Sequence, residues 1–301
     1  MPATDSPGLA EARDQVSAGE RIGLRPLVAG TLLFVVLALL YRNIIVALVA
    51  QWWDDPNYGH GFLVPFFSGF LLWQRRHTLR VMPANGSLVG LAVLLLGLGE
   101  LLLGDFGAEN YLMRSSLLVV LAGLVLFHLG PQIFRASLFP LAFLLFMIPL
   151  PTTLLYAITF PLQGLAASQS AAILEWIGIP VLLDGNVIHL SQISLGVTEA
   201  CSGIRSLISL VAGAVAWAYL AVPGRWATVL FVAAALPVTI VANVTRVVIT
   251  GIIGQRFGVD YASGFFHEFA GWGIYLFAFA CLLGVHAFIE FLGRRFVLLV
   301  K

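Results

Sequence analysis

The sequence predicts an all-α polytopic membrane protein, and composition, the recurrence of long apolar runs and the one-sided placement of arginine predict it together. Of 301 residues, 60% are hydrophobic and 10% charged, with a mean hydropathy of +0.97; an ordinary soluble domain carries about 25% charged residues. Apolar runs recur at lengths near the ~20 residues that cross a bilayer core. They place about eight transmembrane helices at 26–48, 61–74, 87–103, 111–129, 137–150, 204–222, 226–250 and 270–292. Eleven of the sixteen Lys/Arg (Arg13, Arg21, Arg25, Arg75, Arg76, Arg80, Arg135, Arg225, Arg294, Arg295 and Lys301) fall on one side of that arrangement. The positive-inside rule makes that side cytoplasmic and puts both termini there.

Taken in order, residues 1–25 form a polar cytoplasmic tail without the cleavage site of a secretory signal, so the first apolar run is read as a retained span. One membrane domain, 26–301, follows. Residues 151–203 contain no Lys or Arg and are expected outside. The first half of this segment is apolar but punctuated by Pro161, two Gln and Glu175. A crossing there would send Arg225 and the Arg294/Arg295 pair outside, so helices lying at the outer interface are predicted instead. In the second half, GNVIHLSQISLGV alternates around Ser191-Gln192, which predicts a β-hairpin. Trp52, Trp53, Trp73, Trp176, Trp226 and Trp272 sit near span ends, as interfacial aromatics do.

A net charge of +1 with no basic block sets nucleic acid aside. Cys201 and Cys281 lie far apart, outside any CxxC pattern, and the histidines lack a two-His spacing, so neither metal nor cofactor is expected. Cys281, among Phe, Ala and Leu, reads as a small buried hydrophobe.

Ionisable groups within an apolar bundle are costly, so they mark candidate chemistry. In TEACSGIRSL (198–207), Cys201 stands at the outer start of a span, where unpaired helix N–H groups favour a thiolate and can meet an oxyanion. Glu199 and Arg205 flank it. In NVTR (243–246), Arg246 deep in a helix costs about 2.5–3.5 kcal/mol on insertion scales, so it should face a protein-lined cavity or an anion. Asn243 shares its face. In GFFHEFAGWG (264–273), His267 can pass a proton near neutral pH. Read singly, each has an ordinary alternative: a packed thiol, a snorkelling arginine, a structural histidine. All three fall at the same outer level of consecutive spans, which is the set required for thiol acyl transfer.

ACSGIRSL, the later N-x-x-R, the His before the final span, YGHGFLVP (58–65) and IPLP (148–151) together resemble the exosortase/archaeosortase family over roughly residues 30–295. The resemblance implies a bacterial inner-membrane, multi-pass cysteine protease and transpeptidase with its active site facing the periplasm. Its partners would be the lipid bilayer and exported proteins carrying a C-terminal sorting signal of the PEP-CTERM type. It implies Cys201 as nucleophile, Arg246 as activating or oxyanion-binding cation and His267 as acid/base, with Arg205 and Asn243 in support. His60 belongs to the family-like YGHG, where ordering a loop and catalysis are equally open. Two rivals remain: a polysaccharide export or transport subunit, in which Arg205, Arg246 and His267 line an anion path, and a scaffold whose polar residues fix helix packing. The thiol at a helix start favours the enzyme.

Overall fold

The computed structural model describes residues 24–197, 204–258 and 265–299, with side chains over 30–197, 207–258 and 273–293. Two compact units are distinguished, residues 1–47 and 48–301. The described part of the first is helical throughout, and all packing considered below lies within the second.

Among the described residues the chain is helical apart from one small sheet. The helices are α1 (Leu24–Asp54), α2 (Leu63–Gln74), α3 (Arg76–Val81), α4 (Leu88–Phe106), α5 (Asn110–His128), α6 (Gly130–Phe143), α7 (Thr152–Trp176), α8 (Ile204–Ala221), α9 (Arg225–Phe257) and α10 (Phe265–Leu299). Each of the eight expected spans falls on one of these helices. Six stretches are long and apolar enough to cross a bilayer: 30–54, 88–106, 110–128, 130–147, 225–257 and 273–293. The other two are shorter. Helix α2 has 12 residues, about 18 Å at 1.5 Å per residue, and α8 supplies an apolar helix over 207–221. Large side chains remain outside, Phe34 at 72%, Leu96 at 70% and Phe106 at 86% exposure, as a lipid-facing surface requires.

Helices α4 and α5 pack face to face along a line of small residues. A Cβ on Gly90 would stand 2.1 Å from the Phe127 backbone nitrogen, so only glycine permits this approach. Glu109 caps α5, its carboxylate accepting from the Tyr111 and Leu112 N–H groups at 2.9 and 3.1 Å. Across the pair, the Ser115 hydroxyl donates to the Glu100 carboxylate. That gives the carboxyl inside α4 a partner on the neighbouring helix.

Helix α6 is interrupted by Pro140, tightens into a 3-10 turn (Leu144–Met147) and ends in Ile148-Pro149-Leu150-Pro151. Proline has no N–H, so Pro140 deprives the Ala136 carbonyl of its helical donor, and the extended backbone at Ile148 ends the 3-10 turn and leaves the Met147 carbonyl without one. Side chains from the α1–α2 region supply the missing donors. Arg75 Nη1 reaches the Ala136 oxygen at 2.8 Å and Trp52 Nε1 reaches Met147 at 2.8 Å. Ser68 Oγ donates to Pro140 at 3.0 Å, and His60 Nε2 meets the Phe146 oxygen at 3.1 Å. YGHG and IPLP are therefore two halves of one clamp. Trp52 departs from its expected place in an interfacial belt: it is 8% exposed, whereas Trp53, Trp176 and Trp226 exceed 80%. Its indole is needed inside as a donor.

The clamp fixes relative heights. Arg75 lies over the Tyr219 ring, 5.4 Å from its centroid, so the C-terminal end of α8 sits at the Ala136 end of the bundle. Ile208, near the start of α8, packs against the cluster that contains Trp52, Tyr58 and Met147. Helix α9 returns from Arg225 toward the opposite end.

Residues 152–176 form one continuous helix despite Pro161. It runs parallel to α9: Leu162 and Ala166 face Leu236–Asn243, Ser170 Oγ donates to the Val244 oxygen at 3.5 Å, and Leu174 meets Gly251. A helix crossing back between the clamp and the arginine-rich end would have to be antiparallel to α9. The small sheet covers the same region with order β1 (Leu182–Asp184), β2 (Val187–His189), β3 (Ser194–Gly196), all antiparallel. The expected hairpin is β2–β3. A third strand precedes it, turned at Gly185 with φ +59°.

Candidate active site

Helix α9 carries the described part of the site. Asn243 is 4% exposed and Thr239, one turn earlier, is 4% exposed. With Leu162 and Ala166 of α7, Leu207 of α8, and Leu236 and Ile240, they line a cavity of about 10 Å³, room for one water-sized group. Thr239 Oγ1 donates to the Ala235 oxygen at 2.7 Å. Arg246 follows Asn243 by three residues on the same helix; it is partly buried, with its Nε removed from solvent. This is the protein-lined setting that an arginine in an apolar helix requires.

The backbone on either side of ACSG converges on that turn of α9. Before it, Val197 is 1% exposed and packs in one cluster with Val244 and Val247. Asn186 Nδ2 holds this approach by donating to the Val197 oxygen at 3.1 Å and to Gln163 Oε1 at 3.3 Å. After it, Leu207 faces Thr239 and Asn243 across the cavity. Cys201 itself lies outside the described residues. The Arg205 and His267 side chains do also, although both positions belong to described helices, in the first turns of α8 and α10.

Helix α10 packs antiparallel to α9, with the His286 and Phe231 rings 5.9 Å apart. Counting back nineteen positions to 267, about 28 Å of helix at 1.5 Å per residue, reaches the level of residue 250 on α9, one turn beyond Arg246. Cys281 is free and partly buried in α10.

Electrostatics outside the spans bear on the clamp. Burial pushes the His60 imidazole below its ordinary value, and the Phe146 and Asn57 carbonyls pull weakly the other way. Burial, with Asp55 nearby, raises the Tyr58 phenol, which is also bonded to the Leu150 backbone. His60 is thus held neutral within a packed joint. The sequence leaves its role open, places Trp52 in an interfacial belt and singles out neither Ser68 nor Thr239. The available signal was Pro140 inside an apolar run, because a proline within a helix leaves the carbonyl four residues earlier in need of a donor from elsewhere.

The fold and this convergence define a polytopic membrane protein with a buried polar turn on α9, packed against α7 and the small sheet. The model of the transmembrane exosortase family (Exosortase_EpsH) matches residues 52–284, from Trp52 of the clamp to Gly284 of α10. The chain belongs to the transmembrane exosortase family. No curated protein and no solved structure matches it.

Proposed function

We propose that this exosortase is a membrane-embedded cysteine protease and transpeptidase, cleaving C-terminal sorting signals of exported proteins at the periplasmic face of a bacterial inner membrane. The observation that carries the reading is the docking of both flanks of the Cys201 segment, Val197 and Leu207, against residues 239–247 of α9. That docking supports a site on this turn of α9, because the segment carrying Cys201 begins and ends against it. The periplasmic assignment rests on the arginine count, with residues 151–203 carrying no Lys or Arg.

In the proposed reaction His267 takes the Cys201 proton, and the thiolate attacks the scissile carbonyl carbon. The resulting oxyanion is met by Arg246 and helix N–H groups. Collapse breaks the C–N bond, His267 returns its proton to the leaving amine, and an acyl thioester remains on Cys201. Water or an amine acceptor then attacks, giving acid or new amide and restoring the thiol. Arg205 and Asn243 support the site.

Coexpression with an exported substrate bearing a C-terminal sorting signal tests this. Cys201→Ala should leave only precursor. Arg246→Ala should slow processing by about 10²–10³, as loss of one oxyanion partner does elsewhere, and His267→Ala should slow it too, with membrane levels unchanged. Normal processing in Cys201→Ala rejects the chemistry.

A further inference from the structure

We infer that the cavity between α7, α8 and α9 is a recognition pocket for one small side chain of the substrate, of alanine or serine size, beside the bond that is cleaved. The inference rests on the cysteine reading above and specifies the substrate that the site takes.

Three observations carry it. The lining is apolar at Leu162, Ala166, Leu207, Leu236 and Ile240, and the space of about 10 Å³ admits one group the size of a methyl or hydroxyl. The polar lining consists of Thr239, whose hydroxyl is already donated to the Ala235 oxygen, and Asn243, 4% exposed. The Asn243 amide is therefore the lining group placed to hold a substrate peptide unit whose side chain enters the pocket. Finally, the cavity is anchored to the chemistry by sequence: Leu207 follows Cys201 by six residues and Asn243 precedes Arg246 by three. A pocket of this size rejects a larger residue by steric exclusion, and one added methylene in such a site is worth about 10-fold to 200-fold in discrimination.

The test uses the full chain in membranes with a reporter substrate in which each residue flanking the cleaved bond is changed in turn to Ala, Ser, Leu or Phe. Wild type should show one position at which Leu or Phe lowers processing at least tenfold while Ala and Ser are accepted. Leu207→Ala, which removes one wall, should restore processing of the Leu reporter at that position by about tenfold relative to the Ala reporter. If Leu207→Ala does not accumulate, Leu162→Ala opens the same space from α7 and should give the same change. Asn243→Leu should raise KM for the Ala reporter more than it lowers kcat. Identical side-chain preferences in wild type and both enlarged variants, with cleavage still dependent on Cys201, overturn the pocket and leave the cysteine reading standing. Cleavage that persists in Cys201→Ala overturns that reading, and the pocket's role falls with it.

Discussion

Replacing Trp52 by Phe keeps an aromatic ring against Phe62, whose centroid lies 5.3 Å from that of Trp52, but deletes the indole N–H that serves the Met147 oxygen. The extended backbone at Ile148 ends the 3-10 turn after Met147, so no helical donor substitutes, and the 8% exposure of Trp52 leaves little access for water. Leaving a buried acceptor unmet costs about 1–3 kcal/mol. At 1.4 kcal/mol per tenfold, the folding equilibrium should fall roughly 5-fold to 140-fold. Reversible unfolding in mixed micelles, followed by tryptophan-independent far-ultraviolet circular dichroism, measures it. Protease accessibility of the Phe146–Pro151 joint should rise in parallel, because the lost bond releases that joint first. A Trp52→Phe protein with unchanged stability and an equally protected joint refutes the claim that the Trp52 indole supplies the donor the Met147 carbonyl lacks.

Other outcomes follow from the same geometry. Gly90→Ala would drive a Cβ to 2.1 Å from the Phe127 nitrogen; overpacking of this kind costs about 1–3 kcal/mol, and crosslinking between cysteines placed on α4 and α5 should slow as the pair separates. Gly61→Ala would set a Cβ 2.5 Å from Trp52 Nε1; its loss of stability should be smaller in a Trp52→Leu background, and simple additivity would contradict the contact. His60 is held below its ordinary value by burial, so both states are neutral above about pH 6.5. As pH falls from there toward the depressed folded value, the unfolded chain takes up the proton first and stability is lost. His60→Gln keeps a donor and should flatten the decline between about pH 7 and pH 5, read by the same micelle unfolding.

The spans were legible because lipid imposes a simple rule: a long apolar run must close its own backbone hydrogen bonds, and a helix does so locally. Helix α6 shows the limit of that rule. Its first turns include Gln132 and Arg135, which lower the local hydropathy, so the expected start at 137 fell seven residues after the observed Gly130. The apolar first half of 151–203 resembles a span, while parity of arginines points to helices at an interface; the structure shows one helix there, α7, running parallel to α9. Strand β1, LLD, was not anticipated because three residues are too few to show alternation. For the site, the cost of burying Arg246 could be read from one position in one helix. The cavity could not, since it needs Leu162, Leu207 and Thr239, brought together from three helices by packing alone.

The most direct test of thiol acyl transfer is peptide-mapping mass spectrometry of the protein isolated from cells making an exported substrate with a C-terminal sorting signal. The account predicts a substrate acyl group on the peptide containing Cys201, removed by hydroxylamine and absent from Cys201→Ala. An adduct on Cys281 instead, or substrate cleavage undiminished without Cys201, would contradict it.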